Sequence, residues 1–410
     1  MPATIRNLLP DLSSIEQYFD YLDRWAVGTV EELRERMSSR ALAKALLIET
    51  SEHGGVDGAL AAVRRSGSQL ERIGDMAFRV RDPRDDGVWA IADFSSPRFP
   101  VLYTAVEAEQ ARIRLSAMVD ETPGLDRCWF SSAFFRVIWN FVKETFPPHR
   151  YAQIVFNFQS AYERLLDVDD STLDPSDLLT IDDASEYVHA EPRGTRIQIG
   201  ERVGRLGRLL DQITPLYEPL ESIVRLRLPA AEAGGHDFYF DGRVTNRSNS
   251  VVELRNNVEL VRDVYAHSTR IMEEALWGAD VDGVQIGAPL VIRFSEPLEQ
   301  DTFVRWLDSL NRKNNRFRLW ADPIRMSDQT AHLYAVDAHL RQPIDLQVST
   351  GGILAMLPPG TCANTAHRLV TTVQQSLSPK VSSWIGTEPY EEFIVTGLRS
   401  ALQLPDASNV

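Results

Sequence analysis

The chain has 410 residues, 43% of them hydrophobic and 25% charged, with a formal net charge of −15. That length exceeds one ordinary core and suits two domains, while the composition is that of a folded chain and excludes intrinsic disorder. The negative balance argues against a protein that coats nucleic acid through bulk charge.

No run of 18 apolar residues occurs, so no membrane span is expected. Residues 1–10 lack the charged-then-apolar-then-small order of a secretory signal. Two distant cysteines, Cys128 and Cys362, form neither a zinc pattern nor a disulfide framework. A reducing cytoplasm in a prokaryotic, bacterial cell is the setting expected. Of 43 basic residues only four are lysine, which reads as a coding bias and also suits forked recognition of phosphates or carboxylates.

In chain order, the three- and four-residue spacing of Leu12, Ile15, Tyr18, Phe19 and Leu22 predicts a helix that is extended here over residues 12–50. A second helix is expected over 56–72. Alternation then predicts strands at 76–80, 88–92 and 98–103, and helices at 105–119 and 131–146. The latter is so apolar, with Phe134, Phe135, Ile138, Trp139 and Phe141, that burial is expected. A strand at 154–158 precedes an acidic stretch, 167–186, read as a solvated loop. A strand at 193–199 and a helix at 201–226, kinked before Pro215, complete the first half.

Residues 229–235, Pro-Ala-Ala-Glu-Ala-Gly-Gly, form the best linker. They divide the chain into α+β domains at 1–228 and 236–410. The second part opens with a strand at 237–240 and a helix at 251–277. Strand patterns follow at 290–294, 316–320, 331–340, 344–348 and 353–357, with helices at 298–313, 362–377 and 390–403. The C-terminal domain is thus expected to be a mostly antiparallel sheet packed on helices.

Four segments carry candidate chemistry. Cys362 opens a helix, where free N–H groups favour a thiolate. The same terminus can bind an anion through Thr361, Asn364 and Arg368. His367 is poorly placed to pair with Cys362. Asp337 and His339 share one strand face near His332, Asp345 and Gln347, a carboxylate–imidazole pair of the kind metals use. Two adjacent polar residues on a solvent-facing strand are the plainer account, so no metal and no cofactor is assigned. Arg262 and His267, in Arg-Asp-Val-Tyr-Ala-His, resemble the Arg-(four to six)-His signature of HEPN-type ribonucleases. That resemblance implies a helical protomer pair and metal-independent RNA cleavage.

The fourth is the turn with Arg312, Lys313, Arg316, Arg318 and Trp320, a basic segment interleaved with aromatics. Arginines there can grip phosphates while Trp320 stacks on a base. Phosphate-loop, Gly-Xaa-Ser-Xaa-Gly and His-Glu-Xaa-Xaa-His motifs are absent. The expectation is therefore a non-catalytic binding or assembly component that contacts nucleic acid, or another protein, through this turn. The alternatives are the Arg262/His267 ribonuclease and a Cys362 enzyme. Oligomeric state is left open.

Overall fold

The computed structural model describes residues 8–34, 41–50, 55–84, 86–159, 161–162, 194–214, 218–231, 234–277, 279–281, 284–312 and 315–404. Helix α1 (Ile15–Arg34) leads to β1 (Lys44–Thr50), α2 (Gly55–Arg65), β2 (Gln69–Arg72), β3 (Ala77–Arg81), β4 (Val88–Asp93) and β5 (Val101–Thr104). Then come α3 (Ala108–Val119), β6 (Leu125–Arg127), α4 (Ser132–Thr145) and β7 (Tyr151–Gln159). Next are β8 (Gly194–Arg202), α5 (Val203–Ile213), β9 (Ile223–Pro229), β10 (Gly235–Tyr239), β11 (Arg243–Asn246) and α6 (Val251–Trp277). A ribbon of β12 (Ala279–Val281) and β13 (Val284–Ile286) precedes β14 (Leu290–Phe294), α7 (Gln300–Ser309), β15 (Leu319–Ser327), β16 (Thr330–Asp337), β17 (Pro343–Ser349) and β18 (Gly352–Met356). The chain closes with α8 (Ala363–Ser376), β19 (Val381–Ile385), β20 (Glu388–Pro389) and α9 (Tyr390–Ala401).

The class is α+β, as expected. The first sheet runs β2-β3-β4-β5-β1-β11-β10-β9-β7-β8, with β6 paired to β1. The second runs β15-β16-β17-β18-β14-β19-β20. Its pairings are antiparallel, and one face packs on helices. Strict alternation along β16 and β17 buries Ala331, Leu333, Ala335, Ile344, Leu346 and Val348, the period-two signature of a sheet covered on one side.

Local chemistry accounts for the helices that hold this arrangement. Ser131 accepts from the Phe134 N–H at 3.1 Å and caps α4, whose Phe134, Ile138 and Val142 enter the core. Helix α9 crosses α6 closely at Gly397, where an added Cβ would stand 2.8 Å from the Ser268 nitrogen and 2.9 Å from the Val264 oxygen. A side chain there would force the two helices apart.

Three expectations are corrected. The helix over 12–50 ends by Arg34, and Lys44–Thr50 is a central, wholly buried strand. Ala45, Leu46, Leu47 and Ile48 form a continuous apolar run, which a strand between covered faces requires and a surface helix does not. The helix over 201–226 stops at Ile213, and Ile223–Pro229 is a strand with an inward–outward pattern. The boundary at 229–235 falls inside the first sheet. Pro229 pairs with Gly235 in the β9–β10 ladder, and β10 continues through β11 to β1. Strands from both sides of the expected linker therefore share one sheet. The acidic stretch 167–186 lies outside the described residues.

His236 on β10 is fully buried, 3.2 Å from the Ser248 hydroxyl and 2.8 Å from the Asn257 amide. Burial lowers its pKa to about 4, whereas the unfolded chain titrates near 6.5. The neutral ring therefore stabilises the fold fully above pH 6.5, and that contribution is lost as the pH falls toward 4. Between pH 7 and pH 4.5 it should amount to about 2.5 kcal/mol. Urea unfolding at the two pH values should show His236→Gln losing less stability than wild type by roughly that amount. Equal losses in both proteins would show that His236 does not titrate in this window.

Candidate functional site

Helix α8 is buried from Ala363 through Gln374. It packs against α6 and β7. Seven of those twelve residues are polar, so each needs an internal partner. Arg368 is fully buried and binds Asp126 of β6, Asp337 at the end of β16 (2.7 Å) and the Phe317 carbonyl (3.0 Å). Asp126 also accepts from Arg318 at 2.8 Å. Asp337 accepts from Thr365 and from the His339 backbone N–H. Around the helix, the Tyr265 hydroxyl donates to Asn364, and His367 pairs with Tyr390.

A second cluster adjoins the first. Glu49 of β1 accepts from Arg98 at 3.0 Å and from the Cys362 thiol at 2.7 Å. Arg98 forks onto Glu273 of α6 and lies 3.2 Å from the Cys362 sulfur. Glu273 also accepts from the Ala363 N–H at 3.0 Å. The helix N-terminus thus faces one of the protein's own carboxylates. His339 Nε2 lies 3.3 Å from Glu49 Oε2, within ion-pair distance but without hydrogen-bond geometry. Neither ring nitrogen nor that oxygen makes a hydrogen bond among the described residues.

The electrostatics follow from burial and pairing. Burial pushes the Cys362 thiol up, and Glu49 beside it adds to this. Burial also raises Glu49, but Arg98 and His339 outweigh it and hold the carboxyl below its ordinary value. His339 is raised: its burial opposes the charge, while Glu49 favours it. Asp126 is held far below the usual carboxylate range because Arg318 and Arg368 overcome its desolvation. Four carboxylates (Glu49, Glu273, Asp126, Asp337) face three guanidiniums (Arg98, Arg318, Arg368) across the two clusters.

Several residues singled out from the sequence meet here, although in the core and not in a cleft. Cys362, His339, Asp337, Asn364 and Arg368 belong to this network, joined by Thr365, which the sequence did not single out. It has no spare cation for an incoming anion, because Arg368 is saturated and Thr361 donates to the Pro358 carbonyl. His339 lies beyond the end of β16 and not on its face. His332 and Asp345 instead pair at 2.9 Å on the sheet's other side.

Arg262 and His267 take separate partners on α6. Arg262 is buried against Ser95 and Asp263, and His267 meets Arg270. The helix lies amid sheets, unlike an all-helical ribonuclease pair. The basic turn is also rearranged. Strand β15 begins at Leu319, so Arg316 and Arg318 precede it. Arg318 takes a left-handed φ of 52° and turns inward to Asp126. Lys313 lies outside the described residues, and Arg312 and Trp320 are exposed. Sequence reasoning missed Glu49, Arg98, Asp126 and Glu273. For Glu49 a signal existed, the apolar run Ala45–Ile48 that it closes.

The outer face of the second sheet is the other notable surface. Of ten exposed large hydrophobics among the described residues, five lie there: Trp320, Ile324, Met326, Tyr334 and Met356. The ladder registers set Ile324, His332, Gln347, Leu354, Val291 and Trp384 in one line across six strands. Arg293 stacks over Trp384 at 5.3 Å. Asp322, between Trp320 and Ile324, has no ion pair among the described residues. The free edge of β15 is blocked: the Ala321 N–H is taken by the Leu310 carbonyl at 3.2 Å, and Pro323 has no N–H. Such devices prevent strand addition at an edge.

Both cysteines are buried and both thiols are raised by burial. In native buffer at neutral pH, iodoacetamide should label Cys128 and Cys362 far more slowly than a free thiol, with full labelling only in denaturant. Native labelling of Cys362 faster than a free thiol would restore the nucleophile reading.

The MJECL33-like protein family matches residues 235–392 of this chain. The uncharacterized protein MJECL33 of Methanocaldococcus jannaschii, an archaeon, is 20% identical over 408 residues, covering 91% of this chain and 94% of the relative. No solved structure matches. No helix among the described residues is long and apolar enough to cross a membrane.

Proposed function

We propose that this chain is a non-catalytic binding component that docks a separate protein on the outer face of its second sheet. One observation carries the reading: half of the exposed large hydrophobics sit on that face. Sheet faces open to water ordinarily carry polar side chains. Tryptophan, tyrosine, methionine and isoleucine at the centre of a contact are the residues that supply binding energy. Six strands about 4.8 Å apart and three rows of outward side chains give a patch of roughly 500 Å². That falls at the small, transient end of specific interfaces.

Charge selects the occupant. Asp322, exposed among the apolar side chains, has no ion pair among the described residues, and the chain as a whole carries −15. The net negative charge of the chain disfavours phosphates. A polypeptide with an apolar centre rimmed by lysine or arginine is complementary. With the β15 edge blocked, recognition runs through side chains and not through an added strand. Glu49, His339 and Cys362 are all buried among the described residues, which favours a structural reading of that cluster.

Polypeptides captured on immobilised wild type should be purified and titrated against wild type and against a Trp320→Ala/Met326→Ala/Tyr334→Ala variant. The variant should bind at least about tenfold more weakly while melting within a few degrees of wild type, since these side chains lie outside the core. Equal affinity of the two proteins would overturn the assignment. So would wild-type self-association lost in the variant, which would make the occupant a second copy. Steeply salt-dependent binding of single-stranded RNA or DNA lost on Arg312→Ala/Trp320→Ala would return the site to nucleic acid.

A further inference from the structure

Glu49, His339 and Cys362 come from three distant parts of the chain: a central strand of the first sheet, the turn after β16, and the N-cap of α8. One carboxylate oxygen, one imidazole nitrogen and the sulfur all lie within 4.8 Å of one another, and all three residues are buried. A tetrahedral ion with metal–ligand bonds of about 2.0–2.3 Å needs ligand atoms roughly 3.5 Å apart. His339 Nε2 and Glu49 Oε2, 3.3 Å apart, are already close to that spacing.

A second observation points to a ligand. His339 is completely buried, and among the described residues its ring nitrogens and Glu49 Oε2 make no hydrogen bond, the one contact between them being the 3.3 Å ion pair of Nε2 with Oε2. A buried imidazole and carboxylate oxygen left in this way cost free energy, and a cation between them would satisfy both. We propose that Glu49, His339 and Cys362 bind a thiophilic divalent cation, Zn²⁺ first, as an internal staple between the two sheets.

The donor set fits that chemistry. Thiolate with imidazole selects zinc over magnesium or calcium, which take oxygen ligands. Arg98, 3.2 Å from the sulfur, is already matched by the fork onto Glu273. On the Cys362 side the Asn364 N–H donates to the sulfur at 3.2 Å, which orients it as a ligand. Enclosure implies that the ion enters during folding and exchanges slowly.

The full-length chain should be unfolded in denaturant with chelator, then refolded with Zn²⁺, with Co²⁺, or with chelator alone. About one equivalent of metal should remain after gel filtration, the metal-loaded protein should melt higher, and the Co²⁺ form should show a thiolate-to-cobalt charge-transfer band. That band should vanish in Cys362→Ser and persist in Cys128→Ser. If Cys362→Ser does not refold, X-ray absorption of the wild-type zinc form decides: one sulfur with nitrogen and oxygen ligands supports the site. Sub-stoichiometric metal with unchanged melting would overturn it, as would a cobalt–thiolate band that survives Cys362→Ser.

Discussion

Arg368 is enclosed between Asp126 and Asp337 with no exposure to water, and the rest of the fold is built around that constraint. Asp126 belongs to the first sheet, Asp337 to the second, and Arg368 to the helix between them. A guanidinium cannot be neutralised at any accessible pH, so both carboxylates must stay in place beside it. Breaking one partner of such a pair costs several kcal/mol, although the intact pair adds little stability over a well-packed apolar core. The network therefore acts chiefly to specify which surfaces of the two sheets meet. Arg318 adds a further cross-link from the loop before β15, and the Gly124 N–H bonds the His339 carbonyl at 2.7 Å. Arg368, Asn364, Thr365, His367 and Gln374 on α8 thus have internal partners in place of water, whereas the Thr371 and Thr372 hydroxyls make no hydrogen bond among the described residues.

How much of this was legible in the sequence varies by element. Helix α6 agrees with its apolar stripe at both ends, and β16 to β18 agree with their alternation to within a few residues. Strand β1 was hidden because its side chains are covered on both faces, which erases the period. Alternation starting at Arg316 put Arg318 on a solvent strip. The left-handed turn at Arg318 breaks that register, and nothing local announces the carboxylate waiting 192 residues upstream. Cys362, Asn364 and Arg368 drew notice for their helix terminus, but their partners Glu49, Arg98, Asp126 and Glu273 lie far away in sequence. Pairwise burial of that kind is a property of the tertiary fold and leaves no spacing to read.

The molecule separates its two notable surfaces. Charge and sulfur are concentrated in an enclosed core, whereas the outward face of the second sheet carries exposed aromatic and thioether side chains. The inner side chains of β16 and β17 pack on the core while their neighbours face out. For the docking proposed above, anchoring of the sheet through Asp337 would limit reorganisation on binding and so lower the cost of association. The account thus rests on the anchoring network more than on any one exposed residue.

The most direct test is chemical unfolding of Arg368→Met, which keeps length and removes the charge. The account predicts a loss of about 3–5 kcal/mol or outright failure to fold, because two carboxylates are left facing each other in the core. Adding Asp126→Asn and Asp337→Asn to the same chain should recover much of that loss. An Arg368→Met protein as stable as wild type would contradict the claim that this ion network fixes how the two sheets meet.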